Sequence, residues 1–149
     1  MSPQVSIKGH GASISIEASG YERPIAQNVD DANWLKCRVT VNLGYFTGEY
    51  PGAFETSDFV RFRDGLEKIL STMGGMASFE TCEEALNCTI EMRGSGTARI
   101  KGKAQIHQNV AATLSFSFES DQSFIAQTLR EVEAIIAEYP VRVEPAKTP

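Results

Sequence analysis

Few side chains in this chain could do chemistry, and their spacing decides most of what they can do. His10 sits in a glycine-flanked N-terminal segment and His107 at the end of a strand pattern. Neither has a Ser, Cys or carboxylate at a spacing that suggests a nucleophile–base pair or a metal-binding pair, so both read as surface histidines. Acids come in adjacent pairs, Asp30-Asp31 and Glu83-Glu84. General acid–base work needs two carboxylates in different environments converging on one bond, whereas adjacent loop acids read as solvated surface. Glu80, Cys82, Glu83 and Glu84 do not have a convincing ligand spacing for a metal. The cysteines, Cys37, Cys82 and Cys88, are odd in number and lack a CxxC pair, which fits neither a disulfide framework nor a zinc site. Cys37 and Cys88 instead fall on the apolar faces of strand patterns, as small buried thiols do. Gly94-Ser95-Gly96 is followed by a strand and opens no helix, so it is a turn and not a phosphate cradle. No metal, cofactor or catalytic residue is expected.

The 149 residues suit one domain spanning 1–149, with a frayed tail from about residue 144. Hydrophobic content of 42% and charged content of 22% are those of an ordinary globular protein. Nineteen acids against fourteen bases leave a net charge of −5. That argues against nucleic acid as partner, because phosphates need a positive field, and suits a partner that is itself basic. The N-terminus has no basic stretch leading into an apolar run, and no apolar segment approaches the roughly 20 residues of a membrane span. A cytoplasmic protein without membrane contact is expected.

The elements that must position these residues are legible from periodicity. Strict alternation marks strands at Ala12–Ala18, Trp34–Leu43, Leu86–Met92, Ala98–Ile106 and Ala112–Phe118, with a weaker one near Met76–Glu80. Gly44–Gly52 is irregular or a frayed edge hairpin. Phe59, Phe62, Leu66, Ile69, Leu70 and Met73 recur at helical spacing, behind Thr56 or Ser57 as cap and before Gly74-Gly75 as stop. Gly65 lies on the flank of that stripe, where a close neighbour is the best reason for a glycine inside a helix. A second helix, capped by Ser120 or Asp121, carries Phe124, Ile125, Leu129, Val132, Ile135 and Ile136 and ends at Pro140. No internal repeat is visible. The expected fold is α+β: a twisted antiparallel sheet of about six strands, with two helices (about 56–73 and 121–139) on one face.

Parity takes the register further. The Gly94-Ser95-Gly96 loop pairs Arg93 with Thr97 and hence Glu91 with Arg99. Keeping the next apolar face inward requires an odd loop or a bulge after Ile106. A five-residue loop sets Arg99 opposite Glu119. Lys36, Arg38, Arg93, Arg99, Lys101 and Lys103 then make the wet face basic, either an anion-binding surface or a face paired with Glu17, Glu91 and Glu119. Trp34 points to the polar side by the same parity. It is either an interface anchor or a side chain covered by Pro24, Ile25 or the N-terminal arm.

Gly20-Tyr21-Glu22, Asp30-Asp31-Ala32-Asn33-Trp34-Leu35 and Cys37-Arg38-Val39, with the Phe59/Phe62/Leu66 helix, Ser78-Phe79-Glu80 and the Tyr139-Pro140 end, resemble the WapI-type immunity protein family over about Gly20–Arg142. The distinctive part is Asp31–Leu35 in its Asp-Ala-Asn-Trp-Leu run. The long Gly44–Glu55 loop and Val141, where a second proline is expected, depart from the pattern. The resemblance implies a protein that binds a WapA-type polymorphic toxin domain, typically a nuclease acting on tRNA, and it carries no catalytic residues. A basic toxin groove is best met by acids, which points to Glu22, Asp30, Asp31, Glu83 and Glu84 as contacts, with Trp34 as anchor. The Asp31–Leu35 run could equally be structural, with Asp31 or Asn33 capping a turn. The alternative function is a small-molecule-binding domain, or an enzyme, using the concavity of the sheet.

Overall fold

Alternating residues pair into hairpins, and two amphipathic segments close over them. The computed structural model describes residues 2–25, 28–81 and 85–142, with Val29 and Asp30 described by their backbone alone. In chain order the elements are β1 (Gln4–Gly9), β2 (Ala12–Tyr21), α1 (Val29–Ala32), β3 (Trp34–Asn42), β4 (Thr47–Glu55), α2 (Thr56–Thr72), β5 (Gly75–Phe79), β6 (Leu86–Met92), β7 (Thr97–Ile106), β8 (Ala112–Asp121) and α3 (Gln122–Glu138). The class is α+β, as the periodicity implies. The strands form two antiparallel sheets of four, β1-β2-β3-β4 and β5-β6-β7-β8, where the sequence suggested one sheet of about six. Two strands make the difference. β1 alternates too briefly to stand out, and β4 looks irregular because Gly48, Pro51 and Gly52 sit in it. Pro51 lacks a ladder donor and is tolerated because β4 is an edge strand.

The register follows the parity argument. Glu91 faces Arg99, Arg99 faces Glu119, Arg93 N–H bonds the Thr97 carbonyl at 2.9 Å, and residues 107–111 form the five-residue loop. The two sheets meet at a corner. There the His10 amide donates to the Glu119 carbonyl at 2.8 Å and the Ser120 hydroxyl to the Lys8 carbonyl at 2.6 Å. A Cβ on Gly9 would lie 2.2 Å from the Glu119 carbonyl oxygen, so this corner requires glycine.

Each meander of four strands runs into a helix of 17 residues, and the arrangement occurs twice. The buried positions Phe59, Phe62, Leu66 and Ile69 of α2 and Ile125, Thr128, Val132 and Ile135 of α3 share one i, i+3, i+7, i+10 spacing. The duplication lies in burial pattern and not in residue identity, so no repeat shows in the sequence. The helices pack on each other, α2 also on β5 and α3 also on β1, so each meander's helix covers the first strand of the other. Phe79 of β5 gathers the rings of Phe54, Phe59 and Phe62 at centroid distances of 5.5, 5.2 and 5.6 Å, joining β4, α2 and β5 in one core.

The caps differ in part from expectation. Glu55, not Thr56 or Ser57, is the N-cap of α2, in a capping box where the Glu55 amide donates to Asp58 Oδ2 at 3.0 Å. Burial raises the Asp58 carboxyl above its ordinary range, against the lowering effects of the Glu55 amide and Arg61. Asp121, one of the two candidates, caps α3 through the Ser123 and Phe124 amides. No helix among the described residues is long and apolar enough to cross a membrane.

Candidate functional site

A chain that leaves β2 and re-enters the same sheet as β3 needs a connection, and here it is built from polar side chains. Asn28 caps the single turn of α1, accepting from the Asp31 amide at 2.9 Å and donating to Asp31 Oδ2 at 3.1 Å. Arg23 reaches the same carboxylate at 2.7 Å. Asp31 is therefore held within the loop. Asn33 ends α1 and is buried. Its side chain accepts from the Arg142 amide at 2.7 Å and donates to the Arg142 carbonyl at 2.9 Å. Its own carbonyl accepts from the Thr56 amide at 2.9 Å. The Asp31–Leu35 run thus has a structural job: it turns the chain and pins the segment after α3.

Trp34 opens β3 on its outer face, half-buried, as parity implies, and the Glu22 amide donates to its carbonyl at 2.8 Å. It lines an open groove of about 970 Å³. Glu22, Arg23, Asp31 and Trp34 are the wall contributed by the β2–β3 connection and the start of β3, and residues 50–53 of the β4 edge, Ala85 and residues 105–109 also line the groove. Tyr50 spans the groove and donates its hydroxyl to the Ala85 carbonyl at 2.7 Å, and burial raises its pKa. Of the expected contacts, the structure brings Glu22, Asp31 and Trp34 together. Asp30 lies in α1, known by its backbone alone, and Glu83 and Glu84 lie outside the described residues, as do Cys82 and the tail from 144. The described charged lining has two acids, Glu22 and Asp31, against two bases, Arg23 and Lys36.

The basic wet face forms a second, smaller depression of about 440 Å³, lined by Met76, Thr89, Glu91, Arg93, Arg99 and Lys101. Arg99 pairs with Glu119, and Arg93 stands 3.8 Å from Glu91, so two of its cations are met across or along strands. His10 lies 3.7 Å from Asp121 and edge-on to Phe124, at the cap of α3. His107 is exposed and lines the groove. Cys37 and Cys88 are buried free thiols, both pushed up to about 12 by loss of solvent. Among the described residues, no three His, Cys, Asp or Glu side chains converge as a metal site.

Sequence reasoning missed Arg142 and, while it noted Tyr50 as an aromatic that could join a satellite core, missed its bond to Ala85. That bond was hidden by the β4 irregularity. Arg142 meets Asn33 across 109 positions of chain, a distance no local spacing can signal. Together these features define an α+β protein whose β2–β3 connection forms the wall of a groove. The immunity protein WapI-like family matches residues 5–140, and the chain belongs to that family. No curated protein matches it.

Proposed function

We propose that this protein is an immunity protein that binds and neutralises a cognate polymorphic toxin domain of the WapA kind, a nuclease, in the bacterial cytoplasm. The observation that carries this reading is the family match over nearly the whole chain. Protection needs no turnover by the immunity protein itself, only occupation of the toxin. The docking surface is the groove, with Trp34 as the anchor and Glu22 and Asp31 in its lining, and the acids Asp30, Glu83 and Glu84 join it as contacts expected from the sequence, meeting the basic substrate site of the nuclease. A net charge of −5 favours such a partner over nucleic acid.

The test is protection of cells expressing the toxin domain encoded beside this gene, together with binding kinetics of the purified pair. Trp34→Ala should weaken binding by roughly thirtyfold, the scale of an interface hot spot. Because Asp31 is held by Arg23 and Asn28, it stays unchanged while Glu22, Asp30, Glu83 and Glu84 are reversed to Lys. That variant should associate more slowly, with a larger deficit at low salt than at high. If it binds and protects like wild type while Lys101 and Lys103 reversals do not, the docking face is the basic sheet surface instead. The groove's volume falls in the range of small-molecule sites, which supports the second reading, a ligand-binding domain. A small molecule that stabilises the protein, together with no toxin binding, would favour it.

A further inference from the structure

Arg142 lies two residues past the family match, yet its contacts concentrate on one loop. Its guanidinium donates to the Ala32 carbonyl from Nε at 2.7 Å, to the Pro24 carbonyl from Nη1 at 2.8 Å and to the Arg23 carbonyl from Nη2 at 2.9 Å. Nη2 also reaches the Ala32 carbonyl. The same group sits 3.8 Å above the Tyr21 ring, whose hydroxyl donates to the Pro140 carbonyl and whose edge meets Tyr139. The main chain of Arg142 is held from both sides by the Asn33 amide. Residues 23 and 24 leave the sheet after β2, and residue 32 returns to it before β3. One planar fork therefore closes the neck of the connection that carries Arg23, Asp31 and Trp34 into the groove.

We propose that Arg142 is a positioning residue for the docking groove: it clasps residues 23 and 24 to residues 32 and 33 so that this wall is formed before any partner arrives. The functional part of this inference rests on the groove being the toxin-binding surface. The bonds of Asn28 and Arg23 to Asp31 order the loop internally but do not fix it to the rest of the fold, and fixing it on encounter would cost affinity. Arginine suits the task because its donors lie in one plane and can serve three carbonyls while the face stacks on Tyr21. A lysine offers a point charge and no such plane.

Trp34 is the sole tryptophan, so its fluorescence reports the wall directly. Acrylamide quenching and amide exchange would be measured on the full chain for wild type, Arg142→Ala and Arg142→Lys. In Arg142→Ala, quenching should rise about twofold, and the amides of Glu22 and Asp31 should exchange roughly tenfold faster or more. The amides of Ile90 and Ile100, in the second sheet, should stay within about twofold of wild type. Arg142→Lys should resemble the alanine variant. Unchanged quenching and exchange would overturn the clasp. So would acceleration shared equally by Ile90 and Ile100, or a lysine variant indistinguishable from wild type. In the toxin assay, a wild type that fails to protect sinks the immunity reading and leaves the clasp to the exchange data. A wild type that protects, beside an Arg142→Ala protein with unchanged association and dissociation rates, removes the clasp from docking.

Discussion

Cys37 and Cys88 lie on the covered faces of their strands, one in each sheet, and burial keeps both protons in place. With the thiols pushed up to about 12, both stay protonated and unreactive at pH 8. The linkage has a definite sign. The folded thiols hold protons that an unfolded chain loses near its ordinary pKa of 9.0, so the folded state binds more protons between about 9 and about 12. Stability from this source is complete below 9 and is lost as pH rises through that window. In a Cys82→Ser background, a thiol reagent at pH 8 should leave both sites unlabelled in the native protein and label both in guanidinium. Rapid native labelling at either would show that its sheet face is open. Both positions were readable from alternation alone, and Gly65 from the helical spacing around it, where a Cβ would lie 3.0 Å from the Ala77 Cβ. Arg142 was not readable, because a residue whose partners are backbone carbonyls selects for geometry and leaves no side-chain pattern in them.

The helices show how burial pattern turns into energy. Leu66 is fully buried between α2 and the strands, whereas Leu129 on α3 is only partly covered. Leu66→Ala should cost about 2–5 kcal/mol, and Leu129→Ala distinctly less, because part of its surface is already wet. Urea denaturation of both variants checks this, and less than about 1 kcal/mol for Leu66→Ala would contradict the packing. A helix here also protects an edge. The Thr128 hydroxyl donates to the Ser6 carbonyl at 2.7 Å and Glu131 accepts from the Ser6 amide at 2.8 Å, so the outer groups of β1 are met by α3 and not by another chain. Hydrophobic spacing could place both helices and most strands, since one-sided burial writes itself into a period. It could not place β1 under α3, or split the strands into two sheets, because pairing partners far apart in sequence leave no period to read. The β2–β3 connection is the extreme case. Its run of Asp, Asn and Trp was conspicuous, but the sequence left open whether it binds a partner or holds the fold. The bonds from Asn33 to Arg142 show at least the second.

At the scale of the molecule, the duplicated arrangement interlocks. Because α2 covers β5 and α3 covers β1, neither meander with its own helix has its first strand covered from within. The Phe79 cluster and the corner at Gly9 add further contacts across the halves. Two halves that each lend a helix to the other should unfold together, since losing one exposes the apolar face of the other. The chain carries a reporter in each half: Trp34 fluorescence in the first, and the accessibility of Cys88 to a thiol reagent in the second. In a Cys37→Ser, Cys82→Ser background, the two probes should give the same urea midpoint and the same slope, and far-UV circular dichroism should follow both. An Ile135→Ala change in α3, which removes a fully buried side chain, should move both midpoints down by the same amount although it lies in one half only. Midpoints that separate, or an α3 substitution felt by one probe alone, would mean that the halves are independent units and that the exchange of helices contributes little to holding them together.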